Sequence, residues 1–277
     1  MTSIAFPIGA REAVADEHND QTPSRAISSP SSLPSSLPSS SSSRVLPLVS
    51  VVILNHNYGR YLGECIDSVL SQDYAPLEVV VVDDGSTDAS RGVIASYGAR
   101  VISVMKPNGG VASTMNRGFE KCRGDVVLFL DADDFLLPGA IGDHVEAHGD
   151  ARVVRSQVYL DILQEAPWPH TRAPGEPPAQ GDLRHLVLRR GPGAYISAPQ
   201  SGNAWARRYL ERVLPLPETL KGIGADALLM DTAPLFGTTV LAGDEPRAVY
   251  RVHDGGMNAA KAGGMTPDNI RRAIGRL

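Results

Sequence analysis

The sequence predicts an α/β domain built on a mostly parallel sheet with helices on both faces, on three observations. Short apolar runs recur at 48–54, 77–82, 101–104 and 126–130, and unbroken runs of this length are strands buried on both faces. Between them lie segments with apolar residues at three- and four-residue spacing, the alternation that yields right-handed crossovers and parallel pairing. The first, second and fourth runs end in polar or acidic clusters, Asn55–Asn57, Asp83–Ser86 and Asp131–Asp134, which is where an open α/β sheet receives its ligands.

Each element follows from local chemistry. Leu48–Leu54 (LVSVVIL) is the first strand, and Tyr61, Leu62, Cys65, Ile66, Val69 and Leu70 form the apolar face of a helix expected to end near Gln72. Leu77–Val82 is the second strand, stopped by Asp83-Asp84-Gly85-Ser86. Thr87 or Asp88 caps the next helix, which runs to Tyr97 before Gly98. Val101–Val104 is the third strand, Lys106–Gly110 a turn, and 111–122 a helix. Val126–Leu130 then runs into Asp131-Ala132-Asp133-Asp134. Beyond Pro138 the rhythm changes to a smaller, mixed region. A helix to about His148 precedes an extended stretch at Val153–Leu160 and a proline-rich loop from Glu165 to Gln180. Short helices are expected at Leu183–Leu188, Arg208–Leu214 and Ala225–Phe236, with short strands around Tyr195, Trp205 and Ala248–Val252.

Composition narrows the function. Between Ser28 and Ser43 only Leu33 and Leu37 stand out from serine and proline, too little apolar surface to offset ordering entropy, so residues 1–45 read as a disordered tail. About 230 residues remain for one elaborated domain. A net charge of −5 without a Lys/Arg stripe argues against a nucleic-acid partner. No run approaches the roughly 18 apolar residues of a membrane span. Cys65 and Cys122 fall inside predicted helices and read as reduced core residues. The setting reads as cytoplasmic. A short basic helix at 268–274 leaves peripheral contact with the inner face of a membrane open, against the simpler reading of a solvated terminal helix.

The acidic strand end carries the chemistry. In extended backbone Asp131 and Asp133 point the same way, forming a hard-oxygen site suited to a divalent cation that carries phosphate. A carboxylate in Asp83–Asp84 is placed to accept the imide N–H of a uracil or thymine ring, with Gly85 letting backbone pass close to the base. Asn55, His56 and Asn57 would flank the same base, and Asn108-Gly109-Gly110 opens a helix whose amides can face a phosphate. Each segment alone is an ordinary turn. Together they put polar groups on one sheet edge.

These segments resemble a known family. Ser50–Ile53 through Asn57, Ser68–Gln72, Val81–Asp88, Asn108–Gly110, Asn116-Arg117-Gly118 and Leu130–Asp134 match family 2 glycosyltransferases, enzymes of the GT-A fold, in order and spacing over about 48–138. Ser201–Ala204, Asp226 and Tyr250–His253 are similar to weaker downstream landmarks. The resemblance implies an inverting transfer of a sugar from a nucleotide-diphosphate donor, UDP favoured, to a hydroxyl of a glycan or lipid-linked acceptor in polysaccharide or glycoconjugate synthesis. By position it implies base binding by Asp84, ribose binding by Asp131, a divalent metal (Mn²⁺ or Mg²⁺) held by Asp133 of the DxD motif, His253 completing the metal or the diphosphate site, phosphate contact by Arg251, and Asp226 as general base. It divides the chain into a nucleotide-sugar-binding half (46–138), an acceptor-binding and catalytic half (139–260) and a C-terminal helical tail (261–277). The chain departs from the family at His56, Met115 and Ala225, where an aromatic, an Arg and a Glu are frequent. The alternative is a catalytically inactive nucleotide-sugar binder or assembly partner in a polysaccharide-synthesis complex. A phosphatase of the haloacid dehalogenase type fits less well, because Phe135 stands where that motif needs Thr or Val.

Overall fold

A computed structural model describes residues 45–164, 177–219 and 224–253. The Ser/Pro tail through Arg44, the 165–176 part of the proline-rich loop and the terminal basic helix lie outside the described residues. The elements are β1 (Val49–Asn55), α1 (Gly59–Leu70), β2 (Leu77–Asp84), α2 (Ser90–Tyr97), β3 (Ile102–Lys106), α3 (Gly110–Lys121), β4 (Val126–Asp131), β5 (Phe135–Leu136), α4 (Ala140–Ala147), β6 (Val153–Gln164), α5 (Arg184–Arg190), β7 (Asn203–Ala206), α6 (Arg207–Val213), α7 (Ala225–Thr232) and β8 (Thr238–Val252).

The strands form one sheet in the order β3-β2-β1-β4-β7-β6-β8-β5. Its first four strands are parallel, as the βαβ alternation requires. β7 then joins antiparallel to both β4 and β6, which is why the later chain breaks the rhythm. β8 pairs parallel with β6 and antiparallel with the two-residue β5. All seven residues of β1 are buried, so the strand reads as a continuous apolar run rather than an alternating one. Its side chains still divide by face. Val49, Val51 and Ile53 pack with α1, α2 and α4, whereas Val52 and Leu54 pack with α3, α6 and α7.

Two glycines have a packing reason. A Cβ on Gly118 would lie 2.2 Å from Val52 Cγ1, so glycine lets α3 sit down on β1. Gly85 has φ +70°, and a Cβ there would meet the Asn108 backbone nitrogen at 2.6 Å. The close neighbour at Gly85 is thus the protein's own backbone, a contact the sequence did not indicate.

Three other expectations are corrected. Tyr195 lies in no strand; the segment 191–199 is a loop stapled by side chains. The helix expected to reach Phe236 ends at Thr232 and tightens into a 3₁₀ turn at Ala233–Leu235, because Pro234 has no N–H to continue the ladder. β8 begins ten residues before Ala248, at Thr238, and passes Gly243 at φ +73°. The N-cap of α2 is Ala89 and not Thr87 or Asp88; the Asp88 carboxylate instead accepts the N–H of Ser90 at 2.9 Å and of Gly59 at 2.8 Å, tying the starts of α2 and α1 together.

Candidate active site

Asn55, Asp83, Asp84 and Asp131 occupy the carboxyl ends of adjacent parallel strands, the edge predicted from the sequence. Asp83 is fully buried; it accepts from Asn55 Nδ2 at 2.9 Å and from the Ser86 N–H at 3.1 Å. Ser86 Oγ accepts in turn from Asn55 Nδ2 and from the Asn57 N–H. Asn57 adopts φ 61°, a left-handed conformation that Asn tolerates, and its Oδ1 accepts the Thr87 N–H at 2.8 Å. His56 Nδ1 lies 2.7 Å from the Asp84 carbonyl oxygen. A carbonyl only accepts, so Nδ1 carries the proton and Nε2 accepts from the Asn57 and Asn108 amides, each at 3.2 Å. The imidazole is held as an exposed platform at the rim.

The Asp84 carboxylate is engaged by the protein itself. One carboxylate oxygen accepts the Gly109 N–H at 2.8 Å and the other the Gly110 N–H at 2.8 Å, and Lys106 Nζ makes a short ion pair with the first. The two amides expected to face a phosphate are therefore committed to Asp84, because a charge-assisted bond inside the fold satisfies the orphan donors at the start of α3. Met115 is fully buried in the core, so this position on α3 does not face the site. Asn116 does something else: its amide pairs with both Leu216 N (2.7 Å) and Leu216 O (2.9 Å), clamping the chain that leads toward α7.

The acidic cluster is assembled from distant chain. Asp134 is buried; one oxygen accepts from Ser201 Oγ at 2.5 Å and the other from the Arg251 N–H at 2.9 Å. Ser201 Oγ also accepts the Asp131 N–H at 3.2 Å. Arg251 Nε donates to the Asp133 carbonyl at 2.9 Å, and its Nη2 pairs with Glu64 at 2.5 Å. The guanidinium also lies over the rings of Tyr61 and Phe135. His253 Nε2 approaches Asp133 Oδ2 to 3.1 Å, with its ring packed on Tyr58 and Tyr61. Burial raises the Asp131 carboxyl well above its ordinary value, and the charges of Asp134, Asp133 and Asp226 add to the rise. Burial also raises Asp133, against the opposing pull of His253. Asp134 is pushed up to about 8 by burial and the neighbouring Asp133.

The family is shown by comparison. The model of glycosyl transferase family 2 matches residues 50–211, more than half of the chain. The chain belongs to that family. This family 2 glycosyltransferase is 36% identical over 221 residues to an uncharacterized glycosyltransferase of Nostoc sp. (strain PCC 7120), covering 77% of this chain and 68% of that one. It is 42% identical over 99 residues to the chondroitin synthase of Pasteurella multocida, covering 35% of this chain and 10% of that one. S. aureus TarS in complex with UDP-GlcNAc superposes with a TM-score of 0.61 at 20% identity, over 82% of this chain and 64% of that one. The mannosyltransferase PcManGT from Pyrobaculum calidifontis, in complex with GDP-Man and Mn²⁺, gives 0.57 at 19% identity, over 78% and 60%. The fold is thus the GT-A fold, and the protein is a glycosyltransferase.

Asp226 sits in the first turn of α7 of this transferase. Burial raises its carboxyl, while backbone N–H groups at the helix start pull the other way. Its charge adds to the rise at Asp131. Sequence reasoning gave no role to Glu64, Ser201 or Asp134. Ser201 was legible as part of a motif; Glu64 carried no signal, because its partner Arg251 comes from the other end of the chain. Trp205 is fully buried, and the partly buried Tyr195 donates to the Met230 carbonyl. Among the described residues no three His, Cys, Asp or Glu side chains form a metal-holding group by themselves, and no helix is long and apolar enough to cross a membrane.

Proposed function

We propose that this glycosyltransferase moves a sugar, with inversion, from a nucleotide-diphosphate donor, UDP favoured, to a hydroxyl of a glycan or lipid-linked acceptor, with a divalent metal. The observation that carries the proposal is the convergence of Asp133 and His253 beside the raised carboxyls of Asp131 and the buried Asp134. The donor set fits Mn²⁺ or Mg²⁺. Neighbouring ligands about 2.1 Å from one ion are separated by roughly 3 Å, and the His253–Asp133 separation is 3.1 Å. Two protein ligands are enough where substrate phosphates complete the shell. Buried carboxyls that resist ionising alone are also what a bound cation would relieve. The TarS complex with UDP-GlcNAc and the PcManGT complex with GDP-Man and Mn²⁺ are consistent with a nucleotide-sugar donor and a metal.

Asp133 and His253 would hold the ion, which would supply Lewis-acid neutralisation of charge on the departing diphosphate. Asp131 faces the ribose side. His56, Asn57 and Asn108 flank the base, and Asn55 orients Asp83 behind it. Asp84 serves the base site by holding the 108–110 turn, where Gly110 contributes backbone shape. Arg251, fixed by Glu64, contributes positive charge beside the phosphates. Asp226 takes the proton of the acceptor hydroxyl as its oxygen bonds to the anomeric carbon and the bond to the diphosphate breaks. A raised carboxyl is better matched to that task near neutral pH. Residues 46–138 form the donor half and 139–260 the acceptor half. The similarity to a chondroitin synthase favours a polysaccharide acceptor. Any membrane association would be peripheral.

The deciding experiment is a thermal-shift panel of UDP, dTDP, GDP and CDP with and without Mn²⁺, on wild type and Asp133→Ala. A shift with one base that needs both Mn²⁺ and Asp133 supports the reading. No shift with any nucleotide would sink it and favour an assembly role.

A further inference from the structure

Arg155 of β6 is fully buried, yet its guanidinium donates to three neutral oxygens: Asn203 Oδ1 at 2.8 Å, Gln157 Oε1 at 3.0 Å and the Tyr195 hydroxyl at 3.2 Å. The nearby Asp231 carboxylate favours the charge, but burying a cation whose hydrogen bonds go to neutral oxygens is still costly, and an apolar side chain of similar volume would fill the space more cheaply. What the arginine adds is a planar fork that fixes several acceptors at once.

Two branches leave that fork. Along the first, Asn203 is oriented so that its Nδ2 reaches the carbonyls of Pro199 (2.6 Å), Ala198 (3.2 Å) and Gln200 (3.3 Å), pinning the turn that carries Ser201. Ser201 is the residue that bonds both Asp131 N–H and Asp134. Along the second, the Tyr195 hydroxyl donates to the Met230 carbonyl of α7. The same loop grips α7 again where the Gly193 N–H donates to Asp231 at 2.8 Å. Helix α7 carries Asp226 in its first turn. Gln157 braces the centre, accepting the Ala198 N–H at 3.1 Å and donating to the Ala179 carbonyl at 2.6 Å.

We infer that Arg155 is a positioning residue that sets the spacing between the proposed base Asp226 and the Asp131–Asp134 cluster, acting through Tyr195 on one side and Asn203 on the other. The inference rests on the proposed function for the role of Asp226, but the coupling itself is a property of the fold. A misplacement of about 1 Å between reacting groups can cost around 10²-fold in rate, so the hub matters to turnover more than to donor binding.

The test compares wild type, Tyr195→Phe, Arg155→Met and Asp226→Asn. Hydrogen exchange of the α7 amides is read against that of α1, and nucleotide release from UDP-GlcNAc, UDP-Glc, UDP-Gal and GDP-Man gives kcat and KM. Tyr195→Phe removes one oxygen and keeps the core, so it serves if Arg155→Met does not fold. The expected result is exchange in the first turns of α7 raised by about 10-fold or more with α1 unchanged, and kcat reduced by a similar factor with donor KM within about twofold. Unchanged α7 exchange in Tyr195→Phe overturns the inference, as does a raised exchange that leaves kcat intact. The exchange readout needs no substrate, so it stands even if no donor in the panel turns over. Wild-type turnover in Asp226→Asn would instead remove the base assignment and leave the mechanical coupling to be judged by exchange alone.

Discussion

His253 Nε2 lies 3.1 Å from Asp133 Oδ2 across 120 residues of sequence. The long strand β8 makes this contact possible, because it runs beside β6 and β5 and delivers its last residues to the end of β4. If the pair is a metal clamp, Asp133→Ala and His253→Ala should each weaken Mn²⁺-dependent nucleotide binding by about 10-fold or more. Titration calorimetry of UDP at fixed Mn²⁺ reads this directly. Equal affinity in His253→Ala and wild type would leave Asp133 as the sole protein ligand of the pair.

Asp84 is expected to matter to stability. Replacing it with alanine leaves the Gly109 and Gly110 N–H groups and Lys106 without their common acceptor. A loss of about 2–4 kcal/mol is expected, since bonds to a charged group are worth roughly 1.5–3 kcal/mol each but share one anchor here. Urea unfolding of Asp84→Ala against wild type measures it. A loss below about 0.5 kcal/mol would show that α3 starts without this cap.

Asn116→Ala removes both bonds to Leu216 in a buried setting. Stability should fall by about 2–3 kcal/mol, because a backbone N–H and carbonyl are left unsatisfied. Exchange of the Leu216 amide should rise more than the global unfolding change accounts for. If the two change in step, the clamp is part of the global core and not a local device.

Stability should vary with pH on two opposing limbs. Burial holds His144 down to about 3 and His148 down to about 4, from 6.5. The unfolded chain therefore takes up these protons first, and stability falls as pH drops from about 6.5 towards 4. Asp134, pushed up to about 8 from 3.8, acts in the other direction. Folded protein keeps a proton that the unfolded chain releases, so this stabilisation is full below about 4 and is lost as pH rises through 8. His144→Asn keeps a polar atom near Ser156 and should flatten the acid limb; Asp134→Asn should flatten the alkaline one. Urea midpoints measured from pH 4 to 9 without metal decide it, and parallel curves for variant and wild type would reject both attributions.

Much of residues 46–138 was legible in the sequence, because the signals there are local. The apolar runs of β1, β2 and β4, the helix periodicities and the acids closing the strands all lie within short windows. The motif order from Asn55 to Asp134 also sufficed for the family. Only tertiary structure decided what each polar group does. Asp84 looked like a base ligand, but the start of α3 returns to claim its carboxylate. Gly85 looked like room for a base, and Asn108 fills it. Arg155 carried no signal in the sequence, yet it is fully buried and joined to Asn203, Tyr195 and Gln157. The sequence by itself determined the fold class, the strand edge that bears the chemistry and the family, since these follow from period, length and local motif. The folded chain alone decided which groups each carboxylate binds, since hydrogen-bond partners and burial are set by segments as distant as Asp133 and His253.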